Sequence, residues 1–167
     1  MHDDLTAQDI KKMQEELDYR RLTLMPELIE EVKRTRAFGD LSENYEYKTA
    51  KQEQNRNKSR IRYLERMIAS AHMIEDTSAS DEVGLYDKVK IHMEELNKER
   101  TVQIVTTVRC DALKGLISKE SPLGSAILGK KVGDRAAVRV NDTNCYTVEI
   151  LSIEKAEDDG SIPIVKF

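Results

Sequence analysis

The sequence contains no tryptophan, and only 5% of its 167 residues are aromatic. Such a composition is lean for one large hydrophobic core, but it suits long exposed helices combined with a small domain. No apolar stretch approaches the roughly 20 residues that a membrane-spanning helix needs, so no membrane partner is expected. The length allows one ordinary domain or two small ones.

Cysteine is also scarce, and positive charge does not dominate. Cys110 and Cys145 form no CxxC pair and have no metal-ligand spacing to the three histidines, so we expect reduced thiols, with a disulfide or regulatory pair as the alternative. The net charge of −4 argues against general affinity for bare nucleic acid, which depends on neutralising phosphates. The start, residues 1–4, lacks the basic and apolar character of a secretion signal, so a cytoplasmic protein is expected.

The first half of the chain predicts two long helices that fold back on each other. Apolar or small residues recur at steps of three and four in the first helix, once a gap at Arg20 and Arg21 is allowed, at Ile10, Met13, Leu17, Leu24, Leu28, Val32 and Thr35. Pro26 lies inside this run and predicts a kink or short break near Leu24–Met25. The second helix has the seam of a coiled coil, at Tyr47, Ala50, Gln54, Asn57, Ile61, Leu64, Ile68 and Ala71. A short turn joins the helices, which predicts an antiparallel coiled-coil hairpin.

The second half predicts a β-rich domain. Small polar residues at 76–81 indicate a linker, and beyond them apolar residues alternate with polar ones in several short runs. Four or five antiparallel strands of this kind need a cover, and Ser121 followed by Pro122 predicts the start of a short covering helix. We therefore predict an α+β protein with a hairpin at 1–76, a linker at 77–82 and a sheet domain at 83–167.

The turn between the two helices carries two carboxylates. Residues 37–44 read Ala-Phe-Gly-Asp-Leu-Ser-Glu-Asn, and the predicted tip at 38–44 holds Asp40 and Glu43 at the far end of the hairpin. The same spacing is also that of a capping box, in which Asp40 caps the second helix and Glu43 reaches back. Ser42 is an alternative cap, and the sequence does not choose between these roles.

Two motifs in order resemble the bacterial Gre transcript cleavage factors. The first comprises Pro-Glu-Leu-Ile at 26–29, residues 37–47 through Gly-Asp-Leu-Ser-Glu-Asn, and Ala-Lys-Gln-Glu-Gln at 50–54. The second comprises Leu-Ile-Ser at 116–118, Ser-Pro-Leu-Gly at 121–124 and Leu-Gly-Lys-Lys-Val-Gly-Asp at 128–134. The resemblance implies an antiparallel coiled-coil hairpin followed by a small antiparallel-sheet domain that is FKBP-like.

The resemblance also implies a function. A monomeric accessory factor, not itself an enzyme, docks at the secondary channel of bacterial RNA polymerase. The implied docking residues are Ser121, Pro122, Leu123 and Gly124. Its hairpin then brings Asp40 and Glu43 to the polymerase centre, where they help to hold Mg²⁺ that the factor does not bind alone. The outcome is cleavage of backtracked nascent RNA near its 3′ end, which rescues arrested complexes.

The flanks of the tip are more ambiguous. Arg36 and Lys51 match basic residues of the family, which implies contacts with RNA or the channel, although a basic run is often only a solvated helix face. Tyr45 stands where the family has a small residue and could stack on a base, whereas Tyr47 fits the seam.

Two rival functions remain: a Gre-like regulator that binds the channel and inhibits polymerase without promoting cleavage, and a plain coiled-coil adaptor. An FKBP-like fold also suggests a prolyl isomerase, but this half has too few aromatic residues for that pocket.

Overall fold

The computed structural model describes residues 3–39 and 43–166, and these form two compact units. The helical unit contains residues 3, 10–39 and 43–71, and the sheet unit contains residues 4–9 and 72–166. This confirms the predicted α+β class. Residues 77–82, the predicted linker, belong to the sheet unit, where Asp81 forms an ion pair with Lys131. Within the described ranges, no helix is both long enough and apolar enough to cross a membrane.

The helical unit has two antiparallel arms. The first arm comprises α1 (Ala7–Tyr19), a π-helical turn (Arg20–Leu24) and α2 (Met25–Arg36), and the second arm is α3 (Tyr45–Ser70). Two ion pairs show that the arms are antiparallel. Glu16 of α1 pairs with Arg60 in the second half of α3, whereas Arg34 near the end of α2 pairs with Glu46 at the start of α3.

The buried stripe of α3 includes the predicted positions from Ala50 to Leu64 and adds Arg60, whereas the predicted Tyr47 is only half-buried. Its buried residues are Ala50, Gln54, Asn57, Arg60, Ile61, Leu64 and Met67. The predicted seam continued to Ile68, which is only half-buried, whereas Met67 is buried.

The π-helical turn resolves the conflict that Pro26 creates. Proline removes a backbone donor from the helix and crowds the preceding turn. Just before it, the Met25 N–H donates to the Arg20 carbonyl, five residues back instead of four. The Asn57 amide of the opposite arm also donates to that carbonyl, at 3.3 Å. The predicted break is therefore a widened turn, and the arm continues.

A polar cluster, the Glu16 clasp, joins the arms beside this turn and consists of Glu16, Arg20, Asn57 and Arg60. The Glu16 carboxylate accepts from Arg60 at 2.9 and 3.0 Å and from Arg20 at 2.7 Å, while Arg20 donates to Asn57 at 3.0 Å. Burial raises the pKa of Glu16, but hydrogen bonds from Arg60 and Arg20 outweigh it and hold the pKa below the ordinary value of 4.5. The clasp therefore favours the ionised carboxylate.

The sheet unit is built on five strands in the order β5-β4-β3-β7-β6. Their bounds are β3 (Lys88–Met93), β4 (Lys98–Val105), β5 (Leu116–Ser118), β6 (Arg135–Arg139) and β7 (Cys145–Glu154). A separate parallel pair joins β1 (Asp4–Leu5) to β2 (His72–Met73). One face of the large sheet is buried through alternating residues such as Val89, Ile91, Val102 and Ile104.

The sheet is mixed, so the predicted small antiparallel sheet is wrong in one pairing. β4 and β5 run parallel, whereas the other neighbours are antiparallel. Between them the chain makes two 3₁₀ turns, Thr107–Arg109 and Ala112–Lys114, and passes through Gly115 at φ +73°. This long connection carries the chain back along β4, so that β5 can run in the same direction as β4. A sequence pattern of period two does not encode that direction.

A buried arginine ties the ends of the sheet unit together. The Arg109 side chain is fully buried and lies 2.5 Å from Asp9 and 2.6 Å from Asp158. Asp9 precedes the sheet in sequence, whereas Asp158 lies in the C-terminal tail. The tail also packs through Ile164, which is buried, and through a hydrogen bond from the Val165 N–H to the Val108 carbonyl. The tail is therefore held against the sheet unit without forming an edge strand.

Substitution of Glu16 by glutamine should destabilise the protein by about 2–3 kcal/mol at neutral pH, because Arg60 would lose its ionised partner while staying buried. The pKa of Glu16 is lower in the folded protein than its ordinary value of 4.5. Its ionised carboxylate therefore contributes stability above pH 4.5, and this contribution is lost as the pH falls through the folded-state pKa. The stability difference between wild type and Glu16→Gln should therefore shrink on acidification. Urea unfolding at pH 7 and pH 4, followed by circular dichroism, measures this; a difference that grows at pH 4 would contradict it.

Substitution of Arg109 by methionine should cost about 3–5 kcal/mol, because the buried Asp9 and the partly buried Asp158 would lose the cation between them. The matched control is Arg139→Met, whose ion pair with Asp142 is exposed and should contribute less than about 1 kcal/mol. Thermal and urea unfolding of both variants measures the difference. Equal losses for the two variants would show that burial does not strengthen the Arg109 contacts.

Candidate functional site

The candidate site lies where the two arms of the helical unit meet. α2 ends at Arg36 and α3 begins at Tyr45. Asp40, one of the two predicted catalytic carboxylates, lies outside the described residues. Glu43, the other, is exposed in the turn before α3, and its carboxylate contacts no hydrogen-bonding or ion-pair partner among residues 3–39 and 43–166. Glu43 is therefore oriented towards solvent instead of its own scaffold.

Asn44 fixes the geometry of the tip. Its side-chain oxygen accepts from the Tyr47 N–H at 2.9 Å and caps α3, while its amide nitrogen donates to the Thr35 carbonyl at 2.7 Å. Thr35 is buried and its hydroxyl donates back to the Glu31 carbonyl at 2.9 Å. A single side chain thus caps the start of one helix and satisfies a carbonyl at the end of the other.

The cap of α3 is Asn44, and the helix begins one residue later. It is therefore neither of the alternatives left open by the sequence, the capping box of Asp40 with Glu43 or a cap at Ser42. Glu43 precedes the cap, so its carboxylate does not serve the first turn of the helix. The sequence held a signal for this, because asparagine is as good a cap as aspartate or serine.

Arg36 and Lys51, the two predicted basic contacts, both have partners within the hairpin. The Arg36 guanidinium lies 5.7 Å from the centre of the Tyr47 ring and donates to its hydroxyl at 3.5 Å. This hydrogen bond lowers the pKa of Tyr47 below its ordinary value of 10.0. Lys51 donates to the Gln54 side chain at 3.1 Å. Their predicted contacts with RNA or the channel stay predictions.

Two aromatic side chains project from the tip, and each has a cation over its ring. The Tyr45 side chain is 79% exposed, with the Lys48 ammonium 5.5 Å from the ring centre. Phe38 is 59% exposed, with the Arg34 guanidinium at 5.2 Å. Phe38 was not among the predicted site residues, although an aromatic residue inside a short polar turn was the signal for it.

The predicted docking segment forms the start of α4 (Pro122–Ile127), which packs against β5 and β6. Ser121 caps this helix by accepting from the Gly124 N–H at 3.0 Å. Leu123 and Gly124 are buried, and a Cβ on Gly124 would lie 2.0 Å from the Ser118 carbonyl oxygen. Pro122 is exposed and Ser121 half-exposed, so these two present the segment to solvent. Their docking role stays a prediction.

Metal-ligand clusters are absent from the part of the chain that the structure describes. No group of three or more histidine, cysteine, aspartate or glutamate side chains there is arranged to hold an ion. The cysteines are both free thiols, Cys110 half-buried and Cys145 exposed.

Comparisons with known proteins match both units. The family model "Transcription elongation factor, N-terminal" matches residues 4–73, and "Transcription elongation factor, GreA/GreB, C-term" matches residues 78–155. Transcription elongation factor GreA of Thermoanaerobacter pseudethanolicus is 41% identical over 152 residues, which cover 90% of this chain and 96% of that relative. GreA of Caldanaerobacter subterraneus subsp. tengcongensis is 43% identical with the same coverage. Among solved structures, GreA factor homolog 1 of Thermus thermophilus covers 93% of this chain and 100% of its own at 24% identity, with a TM-score of 0.43.

Substitution of Asn44 by alanine should destabilise the helical unit by about 1–2 kcal/mol, because both the cap and the bond to Thr35 are lost. Asn44→Asp should lose less, since a carboxylate keeps the acceptor but cannot donate to the Thr35 carbonyl. Urea unfolding followed by far-ultraviolet circular dichroism ranks the variants. A loss in Asn44→Asp as large as in Asn44→Ala would mean that the bond to Thr35, and not the cap, is the main contribution.

Proposed function

The chain belongs to the GreA/GreB family of transcription elongation factors, and we propose that it acts by bringing Asp40 and Glu43 to the active centre of RNA polymerase. There it stimulates the polymerase to cleave nascent RNA that has backtracked, and so rescues arrested complexes. The factor is an accessory and not an enzyme by itself. In this proposal the helical unit is a coiled-coil hairpin that enters the secondary channel, and the sheet unit is an FKBP-like docking domain.

The position of Glu43 is the observation that carries the proposal. Its carboxylate is exposed, is not used to cap α3, and directly precedes Asn44, whose two hydrogen bonds fix the helix ends. A carboxylate held at a defined position, with no partner among the residues that the structure describes, is suited to bind a group that another molecule supplies. Asp40 stands three residues earlier in the same turn of the sequence.

The donor set fits Mg²⁺. Magnesium prefers oxygen ligands and keeps several of its waters, so one or two carboxylates are a usual protein contribution. Asp40 and Glu43 are of that type, and with so few donors they would hold an ion only together with ligands of the polymerase. When bound, the ion would supply a more acidic water and charge stabilisation at the leaving oxygen. The factor alone is expected to bind no cofactor.

The residues of the factor would act on the water and on the RNA. A carboxylate at the tip can accept a hydrogen bond from the attacking water and orient it towards the phosphodiester, and a positioned base of this kind contributes about 10²–10⁴-fold to a rate. Arg36 is exposed and could contact RNA phosphates or acidic groups of the channel, as could Lys51. Such contacts position the RNA without reading its sequence.

The sheet unit would supply the docking contact. Ser121 and Pro122 are accessible at the start of α4, while Leu123 and Gly124 pack beneath them and fix the helix end. In this arrangement the two buried residues position the docking segment, and the two accessible ones contact the polymerase. A single copy of the factor per polymerase is sufficient.

Asp40→Asn and Glu43→Gln should each abolish stimulated cleavage, because both remove a negative oxygen ligand while preserving size. Backtracked polymerase complexes incubated with Mg²⁺ and each protein provide the test. Wild type should yield shortened RNA that polymerase can extend again, at least 100-fold faster than either variant. Glu30→Gln, an exposed glutamate within α2 that pairs with Lys33, is the matched control and should behave as wild type.

Other outcomes of that assay would contradict the proposal. Slower elongation without shortened RNA would indicate an inhibitor of the same channel. Absence of binding to polymerase, measured by co-elution, would indicate an adaptor with a different partner. Normal cleavage by Asp40→Asn and Glu43→Gln would assign the chemistry to other residues.

A further inference from the structure

We propose that the hairpin tip carries a stacking site for an unpaired RNA base, formed by the Tyr45 ring at a groove between α2 and α3. This inference rests on the proposed function, since that function brings the extruded RNA end to the tip. It adds a base-binding role that the two carboxylates do not provide.

The groove has the construction of a small base-binding site. It has a volume of about 540 Å³, with Leu28 and Ala50 as apolar lining and Tyr45 and Arg34 as planar groups. The Glu46 carboxylate and Thr49 hydroxyl also line it, and they can pair with the polar edge of a base. Planar groups together with edge partners are the usual way in which proteins hold unpaired RNA bases.

The Tyr45 ring is not needed to pack the hairpin. It is 79% exposed at the first position of α3, where the helix requires no particular side chain. Lys48 lies 5.5 Å from the ring centre and takes one face of the ring. A ring has two faces, so a base can stack on the other while the cation strengthens the arrangement.

Arg34 is held as a second planar surface. Its guanidinium donates to Glu31 at 2.6 and 2.9 Å and lies 5.2 Å from the centre of the Phe38 ring. Because Glu31 already neutralises it, Arg34 is poorly suited to attract a phosphate. A guanidinium plane fixed in this way can still stack on a base.

Charge favours stacking over phosphate binding at this site. Residues 31–48 carry equal numbers of basic and acidic side chains, namely Lys33, Arg34, Arg36 and Lys48 against Glu31, Asp40, Glu43 and Glu46. General affinity for RNA requires an excess of positive charge, and none exists here. Stacking on an aromatic ring needs no such excess and tolerates any base.

The test uses backtracked complexes whose extruded 3′ nucleotide is either intact or abasic. For intact RNA, Tyr45→Ala should raise the factor concentration for half-maximal cleavage about tenfold, the size of one lost stacking contact. Tyr45→Phe keeps the ring and should match wild type. With abasic RNA, Tyr45→Ala and wild type should have the same half-maximal concentration.

A second measurement does not depend on cleavage. In the Asp40→Asn, Glu43→Gln background, RNA with 4-thiouridine at the extruded 3′ end is irradiated in the complex, and the RNA–factor adduct is measured. We expect an adduct that Tyr45→Ala reduces at least fivefold and Tyr45→Phe retains. If the proposed function were wrong, the protein that carries both Asp40→Asn and Glu43→Gln would cleave RNA as fast as wild type. The adduct is measured independently of cleavage, so this failure can be distinguished from failure of the stacking site.

Two results would overturn the stacking site. An equal shift for Tyr45→Ala with intact and abasic RNA would mean that the ring contacts the channel protein and not a base. An unchanged half-maximal concentration together with an undiminished adduct would mean that Tyr45 contacts neither. Far-ultraviolet circular dichroism of Tyr45→Ala verifies that α3 is intact.

Discussion

The two hydrogen bonds of the Asn44 amide are the constraint on which the candidate site depends. They satisfy one backbone donor at the start of α3 and add a partner to one backbone acceptor at the end of α2, the Thr35 carbonyl, which also accepts from the Phe38 N–H. Because Asn44 serves both, the acidic side chain before it is left for other contacts. Had Glu43 capped the helix, its oxygens would have been used within the scaffold.

Below the tip, polar groups take over the role that apolar residues have in an ordinary seam. Gln54, Asn57 and Arg60 are buried along α3, and the last two join the Glu16 clasp. Burying charged groups costs desolvation free energy, so such a clasp contributes more to register than to stability. The contact between Asn57 and the Arg20 carbonyl places the π-helical turn opposite one position of α3, which fixes how the two arms align.

The sequence predicted those features that depend on periodicity and missed those that depend on single distant contacts. Steps of three and four located both arms, and alternation located β3, β4, β6 and β7. Arg109 gave no signal, because an arginine normally lies at the surface, and only its contacts with the distant Asp9 and Asp158 explain its burial. The direction of β5 depends on the connection before it and not on its own residues.

The same distinction applies to the candidate site. The motifs predicted roles for Asp40, Glu43 and the flanking basic residues, but they could not show that Arg36 lies on Tyr47 or that Arg34 lies on Phe38. Acidic and basic side chains balance over residues 31–48, so this region has little general electrostatic attraction for RNA. A tip of this kind gains from contacts that act at short range, namely oxygen ligands and aromatic faces. Such contacts become effective only when a larger partner has already brought the RNA within reach.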